Sequence, residues 1–274
     1  MTEPDCSDCG YPPPVSELLT FGDCRRIRGW PDYLALGLGP QQIPDLIRMA
    51  LDEELHLADP NSLGVWSPVH AWRALGQLRA ETAVEPLTGL LARIDEYGDD
   101  WVGEDLPRAF AAIGPAAVPV LSEYLADPSH GRWACAAAAE SLKQIGKQHP
   151  ETRGECVVVL AERLAQSAEL DPVLNGLIIS NLIDLEAVEA VVVMERAFAA
   201  DRVDLSITGD WQDVQIALGL LEERQTPRPD LHWGLSPRTQ EAAQQRQAER
   251  RKSDQRKKRR KQQRRARKKQ RKRK

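Results

Sequence analysis

One helix recurs along the chain: AVEPLTGLL at 83–91, AAVPVLSEYL at 116–125, ECVVVLAERL at 155–164 and EAVEAVVVM at 186–194. Leu87 to Leu121 is 34 residues, Leu121 to Leu160 is 39, and Leu160 to Val191 is 31. Periods of that length mark a helical array, in which no unit buries its apolar face alone and neighbours must stack. Leu87, Leu121, Leu160 and Val191 are therefore expected at equivalent buried sites. Between the repeats lie further apolar faces at helical spacing, such as Trp72, Leu75 and Leu78, and no strand alternation. Thr82 and Glu85 have the spacing of a capping box before the helix carrying Leu87. Gly114-Pro115 ends one helix and opens the next, and Asp171-Pro172 caps another.

Taken in order, residues 1–15 carry four prolines and no apolar period, and are expected to be a flexible lead-in. Residues 16–38 hold enough apolar side chains to cap the first repeat. Pro40–Leu57 is expected as one helix, 58–68 as a loop, and 69–125 as two helix pairs joined by the acidic bridge 95–105. A third unit spans about 131–166, with Trp133 placed on its buried face, and a fourth has helices at 172–184 and 186–200. A last helix follows GDWQDV at 209–214.

Helix pairs at this period resemble the HEAT-like repeats, including the short version found in phycobilisome lyases. The phrases GWPDYLALGL (29–38), HAWRALGQLR (70–79), DWVGEDLP (100–107) and GDWQDVQIALGL (209–220) are similar to a group of bacterial HEAT-repeat proteins with no established activity. The resemblance implies an all-α fold: a right-handed α-solenoid of antiparallel helix pairs over 16–226, followed by a linker and tail at 227–274.

The net charge of −4 conceals two opposite parts. Residues 238–274 hold 20 Lys or Arg against Glu241, Glu249 and Asp254, or +17, which leaves 17 basic and 38 acidic residues in 1–237, or −21. The tail has no apolar face and is expected to be disordered. Its Arg256, Lys257, Lys258, Arg259, Arg260, Lys261, Arg264, Arg265, Arg267, Lys268, Lys269, Arg271, Lys272, Arg273 and Lys274 can follow a phosphate backbone. With no aromatic side chains among them, they are expected to bind RNA, DNA or another polyanion without reading sequence.

Motifs for chemistry are sparse. No phosphate loop, HExxH, GxSxG or paired CxxC occurs. Cys6-x-x-Cys9 is half a zinc knuckle that Cys24 and His56 could complete, but the spacing fits no common finger. No metal or other cofactor is expected. Cys135 and Cys156 sit among Ala and Val as small apolar groups. The side chains left for a groove or loop site are His70, Trp72, Asp99, Asp100, Trp101, Asp210 and Trp211. For each the structural role competes: the carboxylates as helix caps, His70 as a core histidine without a neighbouring nucleophile, Trp211 as an anchor. No apolar run reaches membrane-spanning length, and the N-terminus lacks a positive start and an apolar stretch, so a cytoplasmic protein is expected. The leading expectation is a noncatalytic scaffold that binds a protein partner on its solenoid face and a polyanion through its tail. The alternative is a factor like the bilin lyases, or a chaperone-like one, that holds a ligand or client in the groove.

Overall fold

A computed structural model describes residues 10–228. The chain divides into two units at Pro227. All helices below belong to the first, and no strand occurs among the described residues.

The core begins at Tyr11 and Val15, inside the stretch read as a lead-in. A 3-10 helix at Val15–Thr20 packs on the third helix, and the Ser67 hydroxyl donates to the Leu18 carbonyl (3.1 Å). Residues 40–57 do not form one helix. α1 (Ile43–Ala50) stops, and α2 (Glu53–His56) restarts after Asp52, whose carboxylate accepts from the Glu54 and Leu55 amides and from the Tyr11 hydroxyl. That side chain offers the backbone a competing set of hydrogen bonds, which is why Asp breaks helices from within. Leu51 is exposed at the break.

α3 (Ser67–Gln77) begins with Pro68 in its first turn and is buried from Ser67 to Gly76, so it runs through the interior. α4 (Val84–Thr88) continues as a 3-10 turn, Gly89–Leu91, into α5 (Ala92–Tyr97), which Gly98 ends at φ 68°. The capping box expected of Thr82 and Glu85 is absent: a 3-10 turn at Glu81–Ala83 starts α4 with no side-chain cap. The acidic bridge forms α6 (Asp100–Glu104), capped by Asp99 through the Val102 amide. α7 (Leu106–Ile113) ends at Gly114, φ 104°, and α8 (Ala117–Ala126) follows, the turn expected of Gly114-Pro115.

α9 (Arg132–Gln148) and α10 (Arg153–Ala165) make the next pair. α11 (Pro172–Asp184) is capped by Asp171, and α12 (Val191–Ala199) is entered through a 3-10 turn at Val188–Ala190. α13 (Leu205–Thr208) and α14 (Trp211–Ala217) close the unit. Trp133 is 44% exposed, not core: it sits in the first turn of α9 with the Arg132 guanidinium over its ring (4.6 Å).

The helices pack in two series. α1, α3, α7, α9, α11 and α13 each contact the next, as do α4, α8, α10 and α12. Cross-contacts between α7 and α8, α8 and α9, α9 and α10, and α10 and α11 tie the series together. Leu87, Leu121 and Leu160 are fully buried in the second series. In the fourth repeat the buried residue is Met194, and Val191 is only half-buried. Met194 lies 34 residues after Leu160, the same step as from Leu87 to Leu121. The run Val191–Met194 contains no polar residue to mark its outer face, so periodicity alone could not set its phase.

Candidate functional site

A buried polar cluster joins α3 to the start of α7. Arg73 donates through Nε and Nη2 to the two carboxylate oxygens of Asp105 (2.9 and 2.8 Å), and both residues are buried. Trp72 Nε1 also donates to Asp105 (2.8 Å), as does Trp30 Nε1 (3.3 Å). Burial opposes the guanidinium charge, yet the hydrogen bonds and charge of Asp105 outweigh it and raise the Arg73 pKa. Arg73 Nη1 makes no hydrogen bond. Asp105 was read as part of an acidic helix start; it is instead the acceptor that orients two indoles.

Next to this pair lies His70, fully buried. The Gly22 carbonyl, 2.9 Å from Nε2, can only accept, so Nε2 carries the proton and Nδ1 accepts from the Tyr33 hydroxyl (2.7 Å). Burial lowers the His70 pKa and keeps the ring neutral. Cys24 Sγ is 3.5 Å from Nε2, so the fold supplies the thiol neighbour that the sequence places 46 residues away. The two do not form a nucleophilic dyad. Burial pushes the Cys24 thiol up to about 12, and a buried neutral thiol is inert. His70 is a core histidine.

Beside α3 opens a pocket of about 210 Å³, lined among others by Arg25, His56, Trp66, Trp72, Asp99 and Trp101. Trp66 and Trp101 meet edge to face (centroids 5.1 Å, 82°), and His56 stacks near Trp72 (6.4 Å, 27°). The Arg25 guanidinium lies 4.8 Å from the Trp66 centroid, held by Asp23. Asp99 caps α6 and accepts from Arg93 Nε (3.4 Å). His56 Nε2 donates to the Ala50 carbonyl (2.9 Å), and burial lowers its pKa, so it is neutral with Nδ1 an acceptor. Three indoles and an imidazole make a wall for a flat ring or an alkyl cation.

Of the seven groove candidates, the fold gathers Trp72, Asp99 and Trp101 here. His70, on α3, is buried against Gly22 and Tyr33, and Asp100 is exposed on α6 without lining the pocket. Asp210 forms a capping box with Asp213 on α14 and binds Arg224 (2.6 Å), while Trp211 packs on Phe198 (5.6 Å). Those two are structural, as their capping pattern suggested. Sequence reading missed Arg25, Trp66 and the placement of His56. The only signal for Trp66 was an aromatic in a loop rich in turn formers. A second pocket, about 300 Å³, has Lys143 between Glu140 (2.6 Å) and Asp184 (3.3 Å).

Among the described residues no group of three or more His, Cys, Asp or Glu is placed to hold a metal ion. Cys6 and Cys9 lie outside the described residues, and Cys24 faces His70. The whole set of tail cations from Arg256 to Lys274 also lies outside them. No helix among the described residues is long and apolar enough to cross a membrane.

The model of a family described as "Protein of unknown function (DUF1186)" matches residues 60–226. That span takes in Trp66, Trp72, Asp99, Trp101 and Asp105, and leaves out Arg25 and His56. No curated protein and no solved structure matches the chain.

Proposed function

The chain belongs to this DUF1186 family, and we propose that it is a noncatalytic interaction scaffold: a right-handed HEAT-like α-solenoid that binds a protein partner, with a basic tail that holds nucleic acid or another polyanion. Two observations on the helical unit support the scaffold reading. Its helices contact their successors in two series, and the buried apolar residue of the second series returns at steps of 34, 39 and 34 residues. The thiol nearest a histidine is buried and protonated, which argues against acyl-transfer chemistry there.

The observation that carries the tail's role is the charge division, −21 over 1–237 against +17 over 238–274. A duplex-binding groove is basic, so the acidic portion argues for nucleic acid being met by the tail alone. The reading places the protein in the cytoplasm, with no membrane partner.

The test is anisotropy with a labelled single-stranded RNA across a salt series. Engagement of about six phosphates of a single strand gives a slope of log K against log salt of about −4, with little sequence preference. A chain ending at residue 237 is expected to lose binding and keep its helical signal. If the shortened chain binds as well as the whole one, the division of labour is wrong.

A second reading, a factor that holds a ligand or client, draws on the aromatic pocket. Quenching of tryptophan fluorescence by a small aromatic acid or a quaternary ammonium, abolished by Trp101→Ala, supports it. No response to either probe counts against it.

A further inference from the structure

The second helix series carries a pattern that folding does not explain. Three of its helices contain a similar apolar tetrad: VPVL at Val118–Leu121 on α8, VVVL at Val157–Leu160 on α10 and VVVM at Val191–Met194 on α12. In each the fourth residue is fully buried, and the first is buried in α8 and α10 and half-buried in α12. The second residue turns outward, while the third packs against the core from a half-buried position. Val158 is 54% and Val192 53% exposed, Pro119 at the equivalent place is exposed, and Val120, Val159 and Val193 are half-buried.

Valine is a poor choice for the open face of a helix, because its branched side chain loses rotamer freedom there. A face that only meets water gains nothing to offset that loss. Single exposed apolar residues are ordinary; an exposed apolar residue at the same place on three successive helices in contact, Pro119 on α8, Val158 on α10 and Val192 on α12, is a repeated feature of one face. On the α4 side the feature stops, since the equivalent residues are Glu85 and Pro86.

The flanks indicate the occupant's charge. Glu123, Glu155, Glu162 and Glu195 are exposed on the same three helices, and none makes an ion pair among the described residues. The one exposed cation on these helices is Arg196, because Arg153 is taken by Glu189 (2.7 Å) and Arg163 is buried. An apolar strip between carboxylates complements a helix with an apolar face bordered by Lys or Arg. With packed helices about 8–10 Å apart, three of them present about 16–20 Å, which an α-helix of about 11–14 residues spans. A second copy of this face would set glutamates against glutamates.

We propose that the exposed apolar strip formed by Pro119 of α8, Val158 of α10 and Val192 of α12 is a docking surface for a cationic amphipathic helix of a partner protein. This rests on the scaffold reading above and names the face and the partner's chemistry.

The probe is a fluorescein-labelled peptide of about 14 residues, with leucine at helical a/d-like spacing and lysine elsewhere. A lysine-rich peptide of the same charge with the leucines scattered around the helix serves as the control. The full chain is expected to bind the amphipathic peptide and protect amides of α8, α10 and α12 from hydrogen exchange. Val158→Ser together with Val192→Ser is expected to weaken binding by about tenfold or more with an unchanged circular dichroism spectrum. Equal binding of the two peptides, or no loss in the double variant, overturns the proposal. Protection confined to the first helix series overturns the strip and leaves the scaffold reading standing, as does self-association of the chain that the double variant abolishes. RNA binding by the tail is unaffected in every case, so failure here is distinguishable from failure of the tail's role.

Discussion

Replacing Asp105 by alanine leaves four donors facing a gap: Arg73 Nε and Nη2, Trp72 Nε1 and Trp30 Nε1. The guanidinium is the costly one, since it is 4% exposed and Arg73 Nη1 already lacks a partner. Breaking a buried ion pair from one side costs about 3–5 kcal/mol, and the orphaned Trp72 indole adds about 1 kcal/mol or more. Trp30 is half-buried, and water can satisfy it. Asp105→Ala is therefore expected to lose about 4–6 kcal/mol, a large part of the 5–15 kcal/mol a folded domain usually has. Arg73→Met alone strands the carboxylate and should cost about 3–5 kcal/mol. If the effects added, the combination Arg73→Met with Asp105→Ala would cost about 7–11 kcal/mol. Because each single change strands a charge and the double change strands none, the combination is expected to cost only about 1–3 kcal/mol, most of it the Trp72 donor. Urea unfolding followed at 222 nm gives all four corners of the cycle. A loss below about 1 kcal/mol for Asp105→Ala, or additivity in the double variant, would refute the claim that this pair organises α3 against α7.

Three further outcomes are expected. His56 and His70 both have pKa values lowered by burial, so between the folded value and about 6.5 the unfolded chain binds more protons; stability is full above about pH 6.5 and falls on acidification. Each contributes about 1.4 kcal/mol per pH unit in that window, and a urea midpoint that does not fall between pH 7.5 and 5.5 contradicts it. Leu121→Ala and Met194→Ala are each expected to cost about 2–5 kcal/mol, while Val191→Ala, at a half-buried site, costs clearly less; equal losses at 191 and 194 would restore the spacing of 31. Cys24, Cys135 and Cys156 are buried with raised pKa values, so a thiol reagent should label them only after unfolding, and fast native labelling of Cys24 would reopen the dyad with His70.

Helix identity was legible from the sequence wherever local chemistry decides it. Asp171-Pro172, Gly114-Pro115 and Asp210 act within a few residues of themselves, and each cap or turn formed as its residues require. The apolar register of Leu87, Leu121 and Leu160 was legible for a related reason: a glutamate two residues away, Glu85, Glu123 and Glu162, marks the outer face of each helix. Val191–Met194 contains no such residue, and only packing against α10 selects Met194. The break at Asp52 was hidden because its cost depends on partners, including Tyr11, 41 residues earlier.

The candidate site was legible by halves. Trp72, Asp99 and Trp101 are the polar and aromatic residues that stand out on amphipathic helices, whereas Arg25, His56 and Trp66 come from separate turns and α2. Which rings face one another, and that Asp105 lies buried beside Arg73 and not in water, follows from how α3 meets α6 and α7. Caps, turns and amphipathic faces are properties of neighbouring residues, and the sequence by itself determined them. The pocket, the buried ion pair and the apolar strip depend on side chains brought together from distant segments. Only the tertiary structure decided them, because burial and orientation are set by the whole packed array rather than by any one helix.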